Sequence, residues 1–200
     1  MSNDPLSFAV TAAGGPNDPA GERTLEWLAA SADPTSPDTQ LFAKLLAARD
    51  VRREFALLGL REAEWNGLMA RRFERSATKA PAPAVTTGEH AAFVESLRAL
   101  LLAYAARTVD ADDARCLASI VAHACLRPDH LWRDLGLTGR EDVTWMLTRY
   151  FPTLVVLNVA NLRWKKFLAQ QRALSLGLQP GPAPGCPGCE DYAHCFPASP

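Results

Sequence analysis

The chain has 200 residues, 48% of them hydrophobic and 22% charged, with a formal net charge of −1. That is enough apolar material for one substantial core or two small ones without help from a metal or disulfide. The balanced charge gives no field favouring nucleic acid or an acidic membrane surface. No stretch reaches the roughly 18 apolar residues of a membrane span, and Met1 to Asp18 lack the regions of a secretory signal. A soluble, cytoplasmic protein is therefore expected. In that reducing compartment five cysteines point to thiol or metal chemistry more than to a disulfide frame.

Residues 1–20 are rich in Gly, Pro, Asn, Asp and Ala without periodicity, and are expected to be disordered. Leu25, Leu28 and Ala29 predict a short helix over 22–32, closed by Asp33-Pro34. Ser36-Pro37 supplies an N-cap and a proline for the first helical position. Leu41, Phe42, Leu45 and Leu46 then form one apolar face. A third helical region spans 53–75, broken near Gly59. Residues 76–88, SATKAPAPAVTTG, offer almost nothing to bury and read as a linker. It would join an N-terminal helical unit, 21–75, to a C-terminal one, 89–178.

The second half is more strongly patterned. Phe93, Leu97, Leu100, Leu101 and Tyr104 repeat at helical spacing. Asp110 to Asp113 place acids at a helix N-terminus, where they suit the dipole. The helix that follows carries Leu117, Ile120, Val121 and Ala124 and stops before Pro128. Thr138 and Glu141 have the spacing of a capping box. Pro152 opens a further helix expected to run to about Ser175. No useful stretch alternates with period two, and no Asn-Gly or Asp-Gly hairpin signal occurs. The predicted fold is all-α: a helical domain followed by an irregular Pro/Gly/Cys-rich C-terminal tail over 179–200.

That tail holds Cys186-Pro-Gly-Cys189 and, five residues further on, Cys195. Two thiolates separated by two residues can turn onto one centre, and Gly188 permits the tight turn. Soft thiolates select Zn, Cu(I) or iron–sulfur clusters over Mg or Ca. Three do not close a tetrahedral zinc site, so structural zinc needs a fourth ligand such as His194. A redox pair usually opens a helix in a βαβ unit, and nothing here resembles one. Spacing alone leaves the metal open.

Cys116 and Cys125 do not extend the site. Nine residues at about 100° each leave them half a turn apart on one helix, so each reads as a small core residue. His123 shares a face with Cys116 but lies roughly 10 Å away along the axis. His130 reads as a hydrogen-bonded packing residue, and His90 has no assigned role. Arg163, Lys165 and Lys166, with Trp164 between them, form a basic cluster that is either a solvated rim or a lure for an oxyanion or acidic partner. A nucleophilic-cysteine enzyme is not supported, because no histidine stands at a recognisable spacing.

Three stretches together resemble the NifQ family, proteins that supply molybdenum during synthesis of the nitrogenase iron–molybdenum cofactor. They are His130-Leu-Trp-Arg-Asp-Leu-Gly-Leu137; Arg149-Tyr-Phe-Pro152 with Asn158, Asn161 and Arg163-Trp-Lys-Lys-Phe167; and Cys186-Pro-Gly-Cys189-Glu-Asp-Tyr-Ala-His-Cys195-Phe196. Phe42 to Phe73 resembles the family's N-terminal part more loosely. The resemblance implies a carrier rather than an enzyme, with an iron–sulfur cluster and molybdenum held by Cys186, Cys189 and Cys195. Arg163, Lys165 and Lys166 would then draw in molybdate or dock the cofactor-assembly proteins of the nitrogenase system. The family pattern is C-x4-C-x2-C-x5-C, and its first cysteine falls on Gly181. A further family cysteine, in the Gln171 to Leu176 region, is also missing. The alternatives are a helical interaction module with a structural zinc tail, and a relative that no longer binds metal.

Overall fold

The computed structural model describes residues 18–73, 80–82 and 85–197. Within them the chain is all-α, with ten α-helices, two short 3-10 turns and no strand. No helix of the described residues is long and apolar enough to cross a membrane. The expected disorder at the N-terminus falls almost wholly on 1–17, outside the described residues, as does much of the expected linker.

Helix α1, Pro19–Ala29, starts three residues before the predicted position because Asp18 caps it, accepting from the Ala20 N–H at 3.1 Å. Helix α2, Pro37–Asp50, starts at the predicted Ser36 cap. Its sequence suggests one apolar face, yet Thr39, Leu41, Phe42, Ala43, Leu45, Leu46 and Ala47 are all buried, so it is enclosed on nearly every side. The region near Gly59 divides as expected into a 3-10 turn, Phe55–Leu58, and α3, Glu62–Arg72. Helices α4, Gly88–Ala103, and α5, Ala111–Ala124, follow, the latter capped by Asp110 through the N–H groups of Asp112 and Asp113. Helix α5 is flanked by α3 and α4, while α1 lies along α2.

Two departures from the sequence reading lie further along. Thr138 and Glu141 do not form a capping box. Helix α6 is Leu131–Leu135, and α7, Arg140–Tyr150, begins after Gly139. With that start, Asp142 is the acid within reach, and it accepts from both the N–H and the hydroxyl of Thr138, at 2.9 and 2.7 Å. Nor does one helix run from Pro152 to Ser175: α8 is only Pro152–Val155, and α9 is Trp164–Ser175. The loop between them is clamped by Asn158, whose side chain bonds the Leu162 N–H (2.8 Å) and carbonyl (3.0 Å). Asn161 takes a positive φ of 49°, and Arg140 donates to its side chain at 2.7 Å. A side chain that satisfies the backbone in this way outcompetes helical bonding.

One buried cluster runs from Trp27 to Cys186 and draws on helices from both sides of residues 76–88. Buried ion pairs cross the same boundary. Asp38 accepts from Arg149 at 2.6 and 2.8 Å and from the Tyr150 hydroxyl at 2.7 Å. Asp113, fully buried, lies between Arg71 and Arg72. The last described segment carries a 3-10 turn, Cys186–Gly188, and a single turn of helix, α10, Tyr192–Cys195. It returns to the end of α5, where Gly185 donates its N–H to the Cys125 carbonyl at 3.0 Å.

Candidate metal centre

Six residues singled out from sequence, Arg163, Lys165, Lys166, Cys186, Cys189 and Cys195, line one cavity of about 80 Å³. Its walls are aromatic, with Trp132, Trp164, Tyr192 and Phe196 around the polar groups. Cys186 is buried while Cys189 and Cys195 are half-buried. Cys186 thus lines the cavity from the core side and Cys189 and Cys195 from nearer the surface, and their three sulfurs do not all lie within 4.8 Å of one another. Burial pushes the Cys186 thiol above its ordinary pKa, and the neighbouring Cys189 and Cys195 act in the same direction. A soft metal arriving there would displace that proton.

The glycines explain how the cysteine hairpin lies so close to the helical body. A Cβ at Gly185 would stand 1.9 Å from the Arg127 carbonyl oxygen, and one at Gly188 would stand 2.6 Å from Pro128 Cβ. Neither position has room for a side chain of its own between the hairpin and the turn after α5. Gly188 therefore serves close approach, not a left-handed conformation.

Each cation has a different position. Lys165 is 5% exposed, and its ammonium donates to the carbonyls of Arg127 (2.7 Å) and Asp129 and to the Asp134 carboxylate. Three donors meet three acceptors, so only its stem faces the cavity. Lys166 donates to the Cys195 carbonyl at 2.5 Å and lies 4.9 Å above the Phe196 ring. Arg163, at the start of α9, pairs with Asp191 at 2.9 Å.

The sequence reading gave no role to an acidic pair that fastens the hairpin. Glu190 takes Arg133 at 2.8 Å, and Asp191 takes His130 at 3.0 Å as well as Arg163. His130, Glu190 and Asp191 are also the group of three whose possible ligand atoms lie within 4.8 Å of one another among the described residues. Two guanidiniums already neutralise those carboxylates, which makes the group a clasp rather than a cation site. The signal was present in the sequence: two acids inside the cysteine spacing, opposite His130 and Arg133 in the stretch already singled out.

Cys116 and Cys125 lie outside the cavity lining. Both are buried, and desolvation pushes each thiol up to about 12. Cys116 faces the Glu64 carbonyl, whereas Cys125 lies behind the hairpin. Gly181 also lies apart, and a Cβ there would meet no atom within 4 Å.

A family model described as NifQ matches residues 39–197. Among curated proteins, the chain is 45% identical over 102 residues to Protein NifQ of Azotobacter vinelandii, covering 51% of each. It is 43% identical over 101 residues to the NifQ homolog of Sinorhizobium fredii (strain NBRC 101917 / NGR234), covering 50% of this chain and 43% of that one. It is 42% identical over 88 residues to Protein NifQ of Klebsiella pneumoniae, covering 42% of this chain and 51% of that one. The chain thus spans about half the length of the curated relatives it matches. No solved structure matches it.

Proposed function

Since the chain belongs to the NifQ family, we propose that it serves iron–molybdenum cofactor biosynthesis in nitrogen fixation as a carrier, holding molybdenum together with iron and sulfur. The observation that carries this reading is the convergence of Cys186, Cys189 and Cys195 on one cavity beside Arg163 and Lys166. The donor set suits the cargo: thiolates are the ligands that iron–sulfur clusters take, and three of them leave one metal corner free for exchange. Cys186, Cys189 and Cys195 are the residues that would hold it. The pull on an incoming molybdate falls to Arg163 and Lys166, because Lys165 has spent its donors on the protein. A carrier has to release what it binds, and a site with glycine at position 181 in place of the family's first cysteine holds less firmly. Cofactor-assembly proteins are the natural recipients, and no step of this role requires the chain to act as an enzyme.

The test is elemental analysis for Fe, Mo, sulfide and Zn per chain, on protein made with molybdate and iron and purified without oxygen. Iron and sulfide in near-equal amounts with some molybdenum support the carrier. Zinc alone sinks it in favour of a structural tail, and an absence of metal leaves a relative without the family's chemistry. Cys189→Ser is expected to abolish the bound metal and leave helical circular dichroism unchanged. Loss of both would mean that the metal holds the fold together.

A further inference from the structure

We propose that Lys165 is a positioning residue for the thiol site, acting through the Arg127–Asp129 turn on which the Cys186–Cys189 hairpin is seated. The proposal shares with the carrier reading only the premise that these thiols bind metal.

The chain of contacts has two halves. On the hairpin side, the Gly185 N–H donates to the Cys125 carbonyl at 3.0 Å. The space between hairpin and turn is too small for a Cβ at Gly185 or Gly188. With only the stiff Pro128 ring in between to absorb a shift, Cys186 and Cys189 follow wherever the turn goes. On the body side, the turn lies just past the end of α5, and its Arg127 and Asp129 carbonyls belong to no helix, so they need donor partners from elsewhere in the fold. Lys165 supplies partners for two carbonyls of this turn, Arg127 and Asp129. Its third donor goes to Asp134, which also takes Arg127 Nε at 3.3 Å. The Asp134 carbonyl accepts Arg127 Nη2 at 2.7 Å, which closes the cage.

Enclosing an ammonium is costly unless every donor is met. Once met, the ammonium fixes the relative positions of its acceptors. Without the cation, two carbonyl oxygens and a carboxylate would face one another across a dry gap. The turn would open, and the hairpin seated on it would move.

Co²⁺ is the probe, because its sulfur-to-metal absorption reports thiolate coordination whatever the natural cargo, and nitrogen or oxygen sites give no such band. Reduced, metal-free full-length chain is titrated without oxygen as wild type, Lys165→Met, Gly188→Ala and the double variant. Each single variant is expected to weaken Co²⁺ binding on the order of 10- to 100-fold, as removal of groups that orient ligands does. The double variant is expected to be little weaker than the worse single one, since both act through one contact. Gly188→Ala changes only the hairpin's seat, so it keeps the test readable if Lys165→Met folds poorly. Wild-type affinity and spectrum in folded Lys165→Met, or fully additive effects in the double variant, would overturn the proposal. So would a wild type with no sulfur-to-cobalt band. A wild type that binds Co²⁺ through sulfur yet never carries molybdenum would sink the carrier reading and leave Lys165 in its positioning role.

Discussion

At the scale of single residues, glycines shape this fold as much as cysteines do. Gly59 has a φ of +65°, and a Cβ there would stand 2.0 Å from His123 Nδ1. Gly59→Ala therefore combines a left-handed backbone with a collision in the core. It is expected to destabilise by about 2–4 kcal/mol, read as a lowered urea midpoint with unchanged slope. An unshifted midpoint would mean that His123 moves aside freely. Gly181 is the opposite case, since a Cβ there meets open space. On the carrier reading, Gly181→Cys adds a fourth thiol upstream of the three at no cost in packing. It is expected to raise the iron retained per chain after a chelator challenge, and equal retention would mean that position 181 does not reach the site. The three thiols were legible because C-x2-C spacing is a local property. Lys165 was singled out too, but its enclosure was not legible, since neighbouring residues look alike in sequence. Both lysines line the cavity, yet the Lys165 ammonium is sealed in by three acceptors while Lys166 reaches the Cys195 carbonyl.

At the scale of elements, patterning located most helices, misplaced the starts of α1 and α7 and missed the break between α8 and α9. The Ser36 and Asp110 caps were readable because each is a short polar side chain directly before an apolar repeat. The helix expected from Pro152 to Ser175 failed because its break is made by one asparagine bonding four residues ahead, which has no hydrophobic signature. The loop it holds displays Val159 at 90% exposure and Val156 at 70%. Asn158→Ala removes two side-chain hydrogen bonds, worth about 1 kcal/mol each. Amide exchange at Leu162, whose N–H bonds Asn158, is expected to accelerate at least about tenfold, with protease cleavage appearing between 156 and 161. Unchanged exchange would show that Arg140, which donates to the Leu162 carbonyl at 2.9 Å, holds the loop by itself.

At the scale of the whole molecule, apolar spacing gave the fold class but could not say which helices meet. That information lies in buried polar pairs between residues far apart in the chain. Asp38 ties α2 to α7, and burial alone would raise its pKa. Hydrogen bonds from Arg149 and Tyr150 outweigh burial and hold the carboxyl below its ordinary value. The folded protein therefore takes up that proton at lower pH than the unfolded chain does. The contribution is complete above about pH 4 and is lost as pH falls through the depressed folded value. Asp38→Asn is expected to cost about 1.5–3 kcal/mol at pH 7, with the gap from wild type closing in acid. Denaturant melts at pH 7, 5 and 3 measure this, and a gap that stays constant would rule out Asp38 as its source.

The seat of the cysteine hairpin also bears on the order of events in folding. The turn, its lysine and the enclosing helices all precede Cys186, Cys189 and Cys195 along the chain, and of the segment after α9 only Ala183 and Cys186 join the buried core. Core formation and hairpin docking then become separable steps. The helices can bury one another before Cys186, Cys189 and Cys195 dock, and on the carrier reading the helical body has no need of metal to collapse. On that carrier reading, the cell is thereby spared a choice between folding the protein and supplying its cargo, since the empty form can wait, folded, until metal arrives.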